Sequence, residues 1–346
     1  DYNGVGSGAF MHIPAQDART LPLHQFMDWP DTAVRHMTAA GGKLYTLGGA
    51  AAIVVTESAD GAAAPKSIRT IGGAGAPLSA VGLEGGRAAV LTTAGRVVAV
   101  DLPEAVMDAA AYAPLPGANL RKLHAALADG RLIASDADGQ AYAIGPDVSR
   151  KLEGLRVEPD GGHIVVLDRT RLLLSGRYDE LLVYDMASER AETLDVRAAS
   201  IRGRMFKATL SGGAVLADGT IVAGTLDGML FTLSPDLRTK TTYGRLYANG
   251  PLRDFVRRSG DEVLGIYGGE LEAGHVVLFS RERGLVDAGR PRLIKDNAEL
   301  SRLTDTEWGN IHHISCLAYD SRTDSLYVGS AELYGCVIRY RELQLA

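Results

Sequence analysis

The side chains best suited to chemistry in this chain recur just before short apolar runs. Five of its eight histidines and both tryptophans lie at such positions. The set comprises Trp29, His36, His124, His163, Trp308, His312 and His313, accompanied by Arg35, Arg121, Arg204, Tyr247 and Arg253. Arginine can hold a carboxylate in a bidentate fork, and histidine or tyrosine can move a proton near neutral pH. If the fold gathers these residues, the combination predicts a site for an acidic ligand.

The elements that must position these residues repeat along the whole chain. Each repeat has a turn, a short apolar run, a second turn and another apolar run. The residues that follow the first turn are Lys43, Arg87, Arg131, Arg171, Thr220, Glu262 and Ser325. The second runs begin at Ala52, Arg96, Gln140, Glu180, Met229, His275 and Cys336, nine residues further on in five of the seven repeats. The runs are rich in β-branched and aromatic residues and are bounded by Gly or Asp, which indicates strands.

This periodicity predicts the fold class. Four short antiparallel strands in a unit of about 40–50 residues are typical of a β-propeller blade. Seven units predict an all-β, seven-bladed β-propeller of four-stranded antiparallel blades, closed by an N-terminal strand. We expect residues 1–346 to form one domain, with a closing strand and lead-in over 1–32. The blades are expected near 33–76, 77–118, 119–160, 161–203, 204–250, 251–307 and 308–346.

Two segments carry more specific expectations. The chain ends just after the third strand of the last blade, so that blade lacks a fourth strand. The segment SGAFMHIP, Ser7–Pro14, is the predicted closing strand, because pairing it there would remove an exposed sheet edge. The segment PEAVMDAAAY, Pro103–Tyr112, has the composition of one or two short helical turns.

Ring closure would bring the first, sixth and seventh blades together. We therefore predict catalytic roles for His36, Tyr247, Arg253 and His313. Substrate-binding roles are predicted for Trp29, Arg35, Arg121, His124, Arg204, Trp308 and His312. Two imidazoles beside an arginine should disfavour each other's protonation, which would keep one of them neutral and basic. The structural alternative is that these side chains only hydrogen-bond between blades.

Composition limits the partners. The net charge of −6 argues against general nucleic-acid binding, and no run of 18 apolar residues is present to span a membrane. Cys316 and Cys336 are expected to be thiols, because one strand should separate them. No cofactor or metal is predicted, and a monomer is the expected state. The first residue is Asp1 rather than Met, so either a signal peptide was removed or the chain was trimmed; we expect a secreted or periplasmic protein.

With its repeats aligned, the chain resembles the seven-bladed β-propeller superfamily. DGTIVAGTLDGMLFTLSPD and TDSLYVGSAELYGCVIRYRE are similar to blades of bacterial propellers. The Trp-Asp signature of WD40 repeats and the docking tryptophan of quinone-binding propellers are missing. Within the superfamily, a His/Tyr/Arg centre looks most like propeller enzymes acting on glycans, in particular polysaccharide lyases.

Two functions follow as hypotheses. The preferred one is a lyase acting on a uronic-acid-containing oligo- or polysaccharide. Its arginine would neutralise the carboxylate while His or Tyr side chains move protons. The alternative is a non-catalytic propeller that binds a protein or glycan through the same face.

Overall fold

A computed structural model describes residues 23–28, 34–40, 43–48, 52–57, 65–70, 75–101, 104, 106–157, 162–198, 209–246, 250–268, 274–289, 314–330 and 336–341. The described strands form seven four-stranded antiparallel sheets, which we call blades 1 to 7. The predicted propeller architecture of four-stranded antiparallel blades is therefore confirmed. In blades 1 to 6 the first strand in chain order is the inner strand, and in blade 7 the inner strand is Ile314–Asp320.

The first four blades are built as follows. Blade 1 contains β2 (Val34–Ala40), β3 (Lys43–Gly48), β4 (Ala52–Glu57) and β5 (Pro65–Thr70). Blade 2 contains β6 (Pro77–Leu83), β7 (Arg87–Thr92), β8 (Val97–Asp101) and β9 (Val106–Asp108), with a 3₁₀ turn at Glu84–Gly86. Blade 3 contains β10 (Leu120–Ala126), β11 (Leu132–Asp136), β12 (Gln140–Ile144) and β13 (Arg150–Arg156). Blade 4 contains β14 (Val165–Val166), β15 (Arg171–Ser175), β16 (Glu180–Asp185) and β17 (Arg190–Arg197).

The remaining blades complete the ring. Blade 5 contains β18 (Leu210–Val215), β19 (Ile221–Thr225), β20 (Leu230–Leu233) and β21 (Lys240–Gly244). Blade 6 contains β22 (Leu252–Arg257), β23 (Glu262–Tyr267), β24 (His275–Ser280) and β25 (Gly284–Gly289). Blade 7 contains β26 (Ile314–Asp320), β27 (Ser325–Ser330), β28 (Cys336–Arg341) and β1 (Leu23–Asp28).

The hairpins form where the sequence repeat predicts them. The third strands of blades 1, 3, 4, 6 and 7 begin at the predicted residue, and those of blades 2 and 5 begin one residue later. In blades 2, 3 and 5 the turn before the third strand has a left-handed glycine: Gly95 has φ 74°, Gly139 has φ 79° and Gly228 has φ 83°. In blade 4 the left-handed residue is Tyr178, with φ 58°. Glycine adopts this conformation without the steric cost that a Cβ would impose.

The core lies between the blades rather than within them. One apolar cluster joins blades 2 and 3 through Leu91 and Leu123, and similar clusters join each following pair as far as blades 6 and 7. The inner strands of blades 7 and 1, and of blades 1 and 2, are also in contact. The sheets therefore close into a ring in which each blade is stabilised by its two neighbours.

Blade 7 takes its fourth strand from the N-terminal part of the chain. Strand β1 pairs with β28, with Leu23 opposite Tyr340 and Asp28 opposite Cys336. The predicted closing segment, Ser7–Pro14, lies outside the described residues, and the position beside β28 belongs to Leu23–Asp28 instead. Both segments contain several apolar residues, so composition alone does not choose between them.

The helical expectation for Pro103–Tyr112 is wrong for its described part. Residues Val106–Asp108 form β9, and a turn follows. Within the described ranges, no helix has the length and apolar character needed to cross a membrane.

Candidate functional site

The inner strands line the axis of the ring and are only partly buried. His36, Lys122, His163 and Arg253 are half-buried residues on or directly before inner strands. The second strands behind them are almost fully buried, as in β19 and most of β7. Solvent therefore reaches the inner strands, and polar side chains there can meet a ligand.

Lys122 lies at a bulge of β10. The pairing register shifts between Leu120 and Lys122, which leaves Arg121 exposed and Lys122 half-buried. The Lys122 ammonium donates a hydrogen bond to the Gly162 carbonyl of blade 4 at 3.0 Å. An ammonium has three donors, so this bond leaves donors for a ligand.

Arg253 occupies the comparable place in blade 6. Its guanidinium donates to the carbonyls of Ile314 and Ser315 on blade 7, the latter at 3.4 Å. The next residue, Asp254, has φ 55°, an uncommon conformation for a residue with a side chain. In this conformation Asp254 Oδ2 accepts a hydrogen bond from the Leu317 amide at 3.0 Å. The strained backbone thus sets an arginine and a carboxylate side by side at the start of β22.

Close contact between blades 5 and 6 depends on two glycines. A Cβ on Gly212 would lie 2.8 Å from the Arg253 Cα, and one on Gly224 would lie 2.5 Å from the Leu252 carbonyl oxygen. Such distances are shorter than real contacts, so both positions require glycine. The approach that they permit fixes the backbone from which Arg253 projects.

Electrostatic coupling crosses the ring. Burial lowers the pKa of Lys122, and the charge of Arg253 lowers it further. Blades 3 and 6 are separated by two blades along one arc of the ring and three along the other, so this repulsion acts across the axis. Burial raises the pKa of Asp254, while Arg253 and the Leu317 amide oppose that rise. Two cations, Lys122 and Arg253, thus act on the same space, and a negatively charged ligand group placed between them would be attracted by both.

Two histidines belong to the same cluster. His124 is buried, and its Nε2 lies 2.8 Å from Ser135 Oγ. Burial lowers its pKa to about 3, with further lowering by Lys122 and His163. Burial and Lys122 likewise lower the pKa of His163 to about 4. Both imidazoles are therefore neutral at pH 7.

The His36 side chain lies at the seam between blades 1 and 2, rather than beside Lys122, His124 and His163. Its ring packs against β6 of blade 2, where a Cβ on Gly82 would be 3.8 Å from His36 Cε1 and Nε2. Burial lowers its pKa to about 4. Arg253, in contrast, reaches towards blade 7. Burial, rather than a neighbouring charge, lowers the pKa of His36. The predicted pairing of His36 with His313 beside Arg253 stays a prediction, because His313 lies outside the described residues.

The Cys316 thiol is also part of this centre. It is buried on β26 and is not in a disulfide. Burial raises its pKa to about 12, and the nearby Asp254 carboxylate adds to that rise. A thiol in this state is unreactive, because the thiolate is the nucleophile. The predicted thiol at position 316 is confirmed, whereas the Cys336 side chain lies outside the described part of the chain.

Of the remaining predicted site residues, the structure describes the side chain of Arg121. Arg121 is exposed on β10, one residue from Lys122. The other side chains lie outside the described part of the chain, namely Trp29, Arg35, Arg204, Tyr247, Trp308, His312 and His313. Sequence reasoning placed His163 before an apolar run without assigning it a role, and it assigned no role to Lys122 or Asp254. Alternation along a strand would have favoured Lys122 only if the bulge in β10 had been known.

Two cavities lie away from the axis, in the seam between blades 2 and 3. They have volumes of about 570 and 420 Å³, and Tyr112 and Pro146 line both. None of the predicted site residues that the structure describes lines either cavity.

Comparison with known proteins establishes the fold alone. No family model and no curated protein matches the sequence. Among solved structures, the chain is similar to YCF48 bound to D1 peptide, at 14% identity and TM-score 0.60, with 96% of this chain and 99% of that chain covered. It is also similar to virginiamycin B lyase from Staphylococcus aureus, at 10% identity and TM-score 0.63, with 93% and 98% covered. One of these propellers is bound to a peptide and the other is named as a lyase.

Proposed function

We propose that this protein is a binding propeller whose axial channel holds a carboxylate-bearing segment of another protein. One observation carries the proposal: Lys122 and Arg253 project from well-separated blades and repel each other across the axis. A carboxylate between them would relieve that repulsion, and both cations retain donors for it.

Lys122 and Arg253 also bond to backbone carbonyls of the next blade, and this bonding helps to define the site. It orients each cation before a ligand arrives, which lowers the entropic cost of binding. Half-buried cations are also screened less by salt than exposed ones. The site is therefore suited to a specific anionic group rather than to diffuse charge attraction.

The choice of a peptide rests on the protein's own chemistry and on one neighbour. The overall charge of −6 repels a long anionic polymer, whereas a short acidic segment meets mainly the local cations. YCF48, a propeller of the same fold, binds a peptide. A peptide is therefore the ligand class to test first.

The uronate lyase predicted from the sequence receives less support from the described residues. A general base works best when its pKa is near the working pH. The imidazoles of His36, His124 and His163 have pKa values of about 3 to 4, which makes them weak bases at pH 7. The other predicted acid–base groups, His313 and Tyr247, lie outside the described residues.

The test uses matched neutralising substitutions on one strand. Binding of a fluorescent hexaglutamate peptide would be measured by anisotropy for the wild type, Lys122→Met and Arg121→Met. Both variants lose one positive charge, but only Lys122 is half-buried and coupled to Arg253 across the axis. We expect about tenfold weaker binding for Lys122→Met and little change for Arg121→Met. Equal loss in both variants, or no binding by the wild type, would refute the proposal.

The same proteins can be used to test the alternative that the ligand is an acidic sugar. Hexagalacturonate would be tested with the same three proteins, by anisotropy competition and by ultraviolet absorbance of an unsaturated product. We expect no absorbance change. An absorbance increase that depends on the protein would favour the lyase over the binding function.

A further inference from the structure

The outer edge of blade 2 is incomplete. Its fourth strand, β9, pairs only with the end of β8: Asp101 with Val106, Val100 with Met107 and Ala99 with Asp108. No described strand pairs with the outer side of β8 at Val97 and Val98. In the other six blades the fourth strand reaches the beginning of the third strand or comes within one residue of it.

The sequence explains why β9 stops early. The Asp108 carboxylate accepts a hydrogen bond from the Ala110 amide at 2.9 Å, which turns the chain away from β8. The diverted segment is then tied to blade 3: the Ala113 amide donates to the Gly145 carbonyl at 2.9 Å, and Ser149 Oγ donates to the Ala113 carbonyl at 2.6 Å. The chain thus leaves the edge of β8 and crosses to the next blade.

A cavity lies beside the part of β8 that β9 does not cover. The cavity of about 570 Å³ is lined by Val97 on the β8 side, by Ala110 and Leu115 on the diverted segment, and by Ile144 on blade 3. Its walls are mainly apolar, and its volume is in the range of typical ligand pockets. A strand edge that no other described strand pairs with, beside an apolar cavity, has the features needed for strand addition.

Two charged side chains at the rim of this cavity could also contact a bound peptide. Arg96 and Asp147 line the cavity and are exposed on opposite blades. Neither side chain has an ion pair with another described residue. An extended peptide lying between them would satisfy both charges if it carried an acidic residue near Arg96 and a basic residue near Asp147.

We propose that the outer edge of β8 at Val97–Val98 is a second binding site, which accepts an extended peptide of a partner protein as the missing half of the fourth strand. The peptide backbone pairs with β8, an apolar side chain enters the cavity, and charged residues meet Arg96 and Asp147. This site is independent of the axial channel, because it rests on main-chain pairing in the seam between blades 2 and 3.

The experiment uses a strand that the scaffold already accepts. The probe is a synthetic peptide with the sequence of β17, Arg190–Arg197, which contains acidic and basic residues as well as Leu194 and Val196, both packed against the core of blades 4 and 5. Hydrogen–deuterium exchange of residues 93–101 would be measured with and without millimolar probe. We expect an outward-facing amide of Val97 or Val98 to exchange about tenfold more slowly with the probe.

Matched controls separate pairing from other effects. The Ala110→Trp variant fills the cavity and should abolish protection. The Ala128→Trp variant fills the second cavity, which Ala128 lines, and should leave protection unchanged. A probe with proline at the position of Thr193 cannot complete the ladder and should not protect.

Several results would overturn the proposal. One is the absence of protection in the wild type, and another is equal protection by the proline probe. A third is full protection of Val97 and Val98 without any probe, which would mean that the protein's own chain covers the edge. The Lys122→Met variant should behave as wild type in this assay, so failure here is distinguishable from failure of the axial site.

Discussion

Lys122 of blade 3 and Arg253 of blade 6 are electrostatically coupled across the axis of the ring, and the charge of Arg253 lowers the pKa of Lys122. Each cation is anchored to the following blade: Lys122 bonds to Gly162, just before β14, and Arg253 bonds to Ile314 and Ser315 of β26. The propeller therefore holds two like charges in fixed positions that a flexible surface would let relax. This arrangement is the basis of the proposed anion site.

Salt should weaken binding of an acidic peptide at the axial site, because it screens the charges of Lys122 and Arg253. Raising the ionic strength should increase the Kd for hexaglutamate, because screening reduces the attraction. The dependence on salt should be smaller in Lys122→Met than in Arg121→Met, since only the first variant removes a charge from the channel. Anisotropy titrations at several salt concentrations measure both slopes. Identical slopes for the two variants would count against a role for Lys122.

Acid should destabilise the fold through the inner-strand histidines. The folded-state pKa values of His36, His124 and His163 are about 4, 3 and 4, below the ordinary value of 6.5. The unfolded state therefore binds more protons, and the free energy of unfolding falls as the pH drops from 6.5 towards 4, by an amount on the order of a few kcal/mol per histidine. Urea unfolding at a series of pH values measures this decline.

The substitution His163→Asn measures how much His163 contributes to the loss of stability in acid. His163→Asn removes a titrating group, so the variant should lose less stability than the wild type between pH 6.5 and pH 4. The two proteins are compared by the slope of unfolding free energy against pH, which is insensitive to a constant loss of packing. Parallel slopes would show that His163 is not kept neutral by the fold.

Close packing of blades 5 and 6 should make Gly224 intolerant of a side chain. The Cβ of Gly224→Ala would lie 2.5 Å from the Leu252 carbonyl oxygen, so the inner strand of blade 6 must shift. We expect a loss of about 1–3 kcal/mol in unfolding free energy. Gly260→Ala is the control, because its Cβ would lie 3.5 Å from the Ala217 Cβ, an ordinary contact. Thermal unfolding of both variants gives the comparison, and equal melting temperatures would contradict it.

Removal of β1 should open the ring at blade 7. Deleting residues 1–28 exposes the edge of β28 and should lower the melting temperature markedly. Deleting residues 1–14 leaves β1 in place and should have a much smaller effect. Differential scanning calorimetry distinguishes the two deletions. A large effect of the shorter deletion would restore the role first predicted for Ser7–Pro14.

The blades could be predicted from the sequence because each hairpin repeats its own signals. Lys43 and Ala52 begin strands at the predicted spacing, and so do Arg171 and Glu180. Local composition and glycine turns carry this information. The identity of the closing strand could not be derived, since pairing between β1 and β28 joins distant segments with no local signal.

The candidate site was less accessible to prediction for a different physical reason. The histidine and arginine types indicated an axial centre, but the direction of each side chain depends on bulges that move the register by one residue. The shift at Lys122 turns it inward while Arg121 is exposed, and the ring of His36 lies against blade 2. Coupling between Lys122 and Arg253 arises only when blades 3 and 6 face each other across the axis.

The most direct test of the axial site is a crystal structure of the protein with a bound acidic peptide such as hexaglutamate. The proposed function predicts a peptide carboxylate between Lys122 and Arg253, with its oxygens at hydrogen-bonding distance, about 2.7–2.9 Å, from Lys122 Nζ and the Arg253 guanidinium. A peptide bound elsewhere on the ring, with both cations contacting only the Gly162, Ile314 and Ser315 carbonyls, would contradict it.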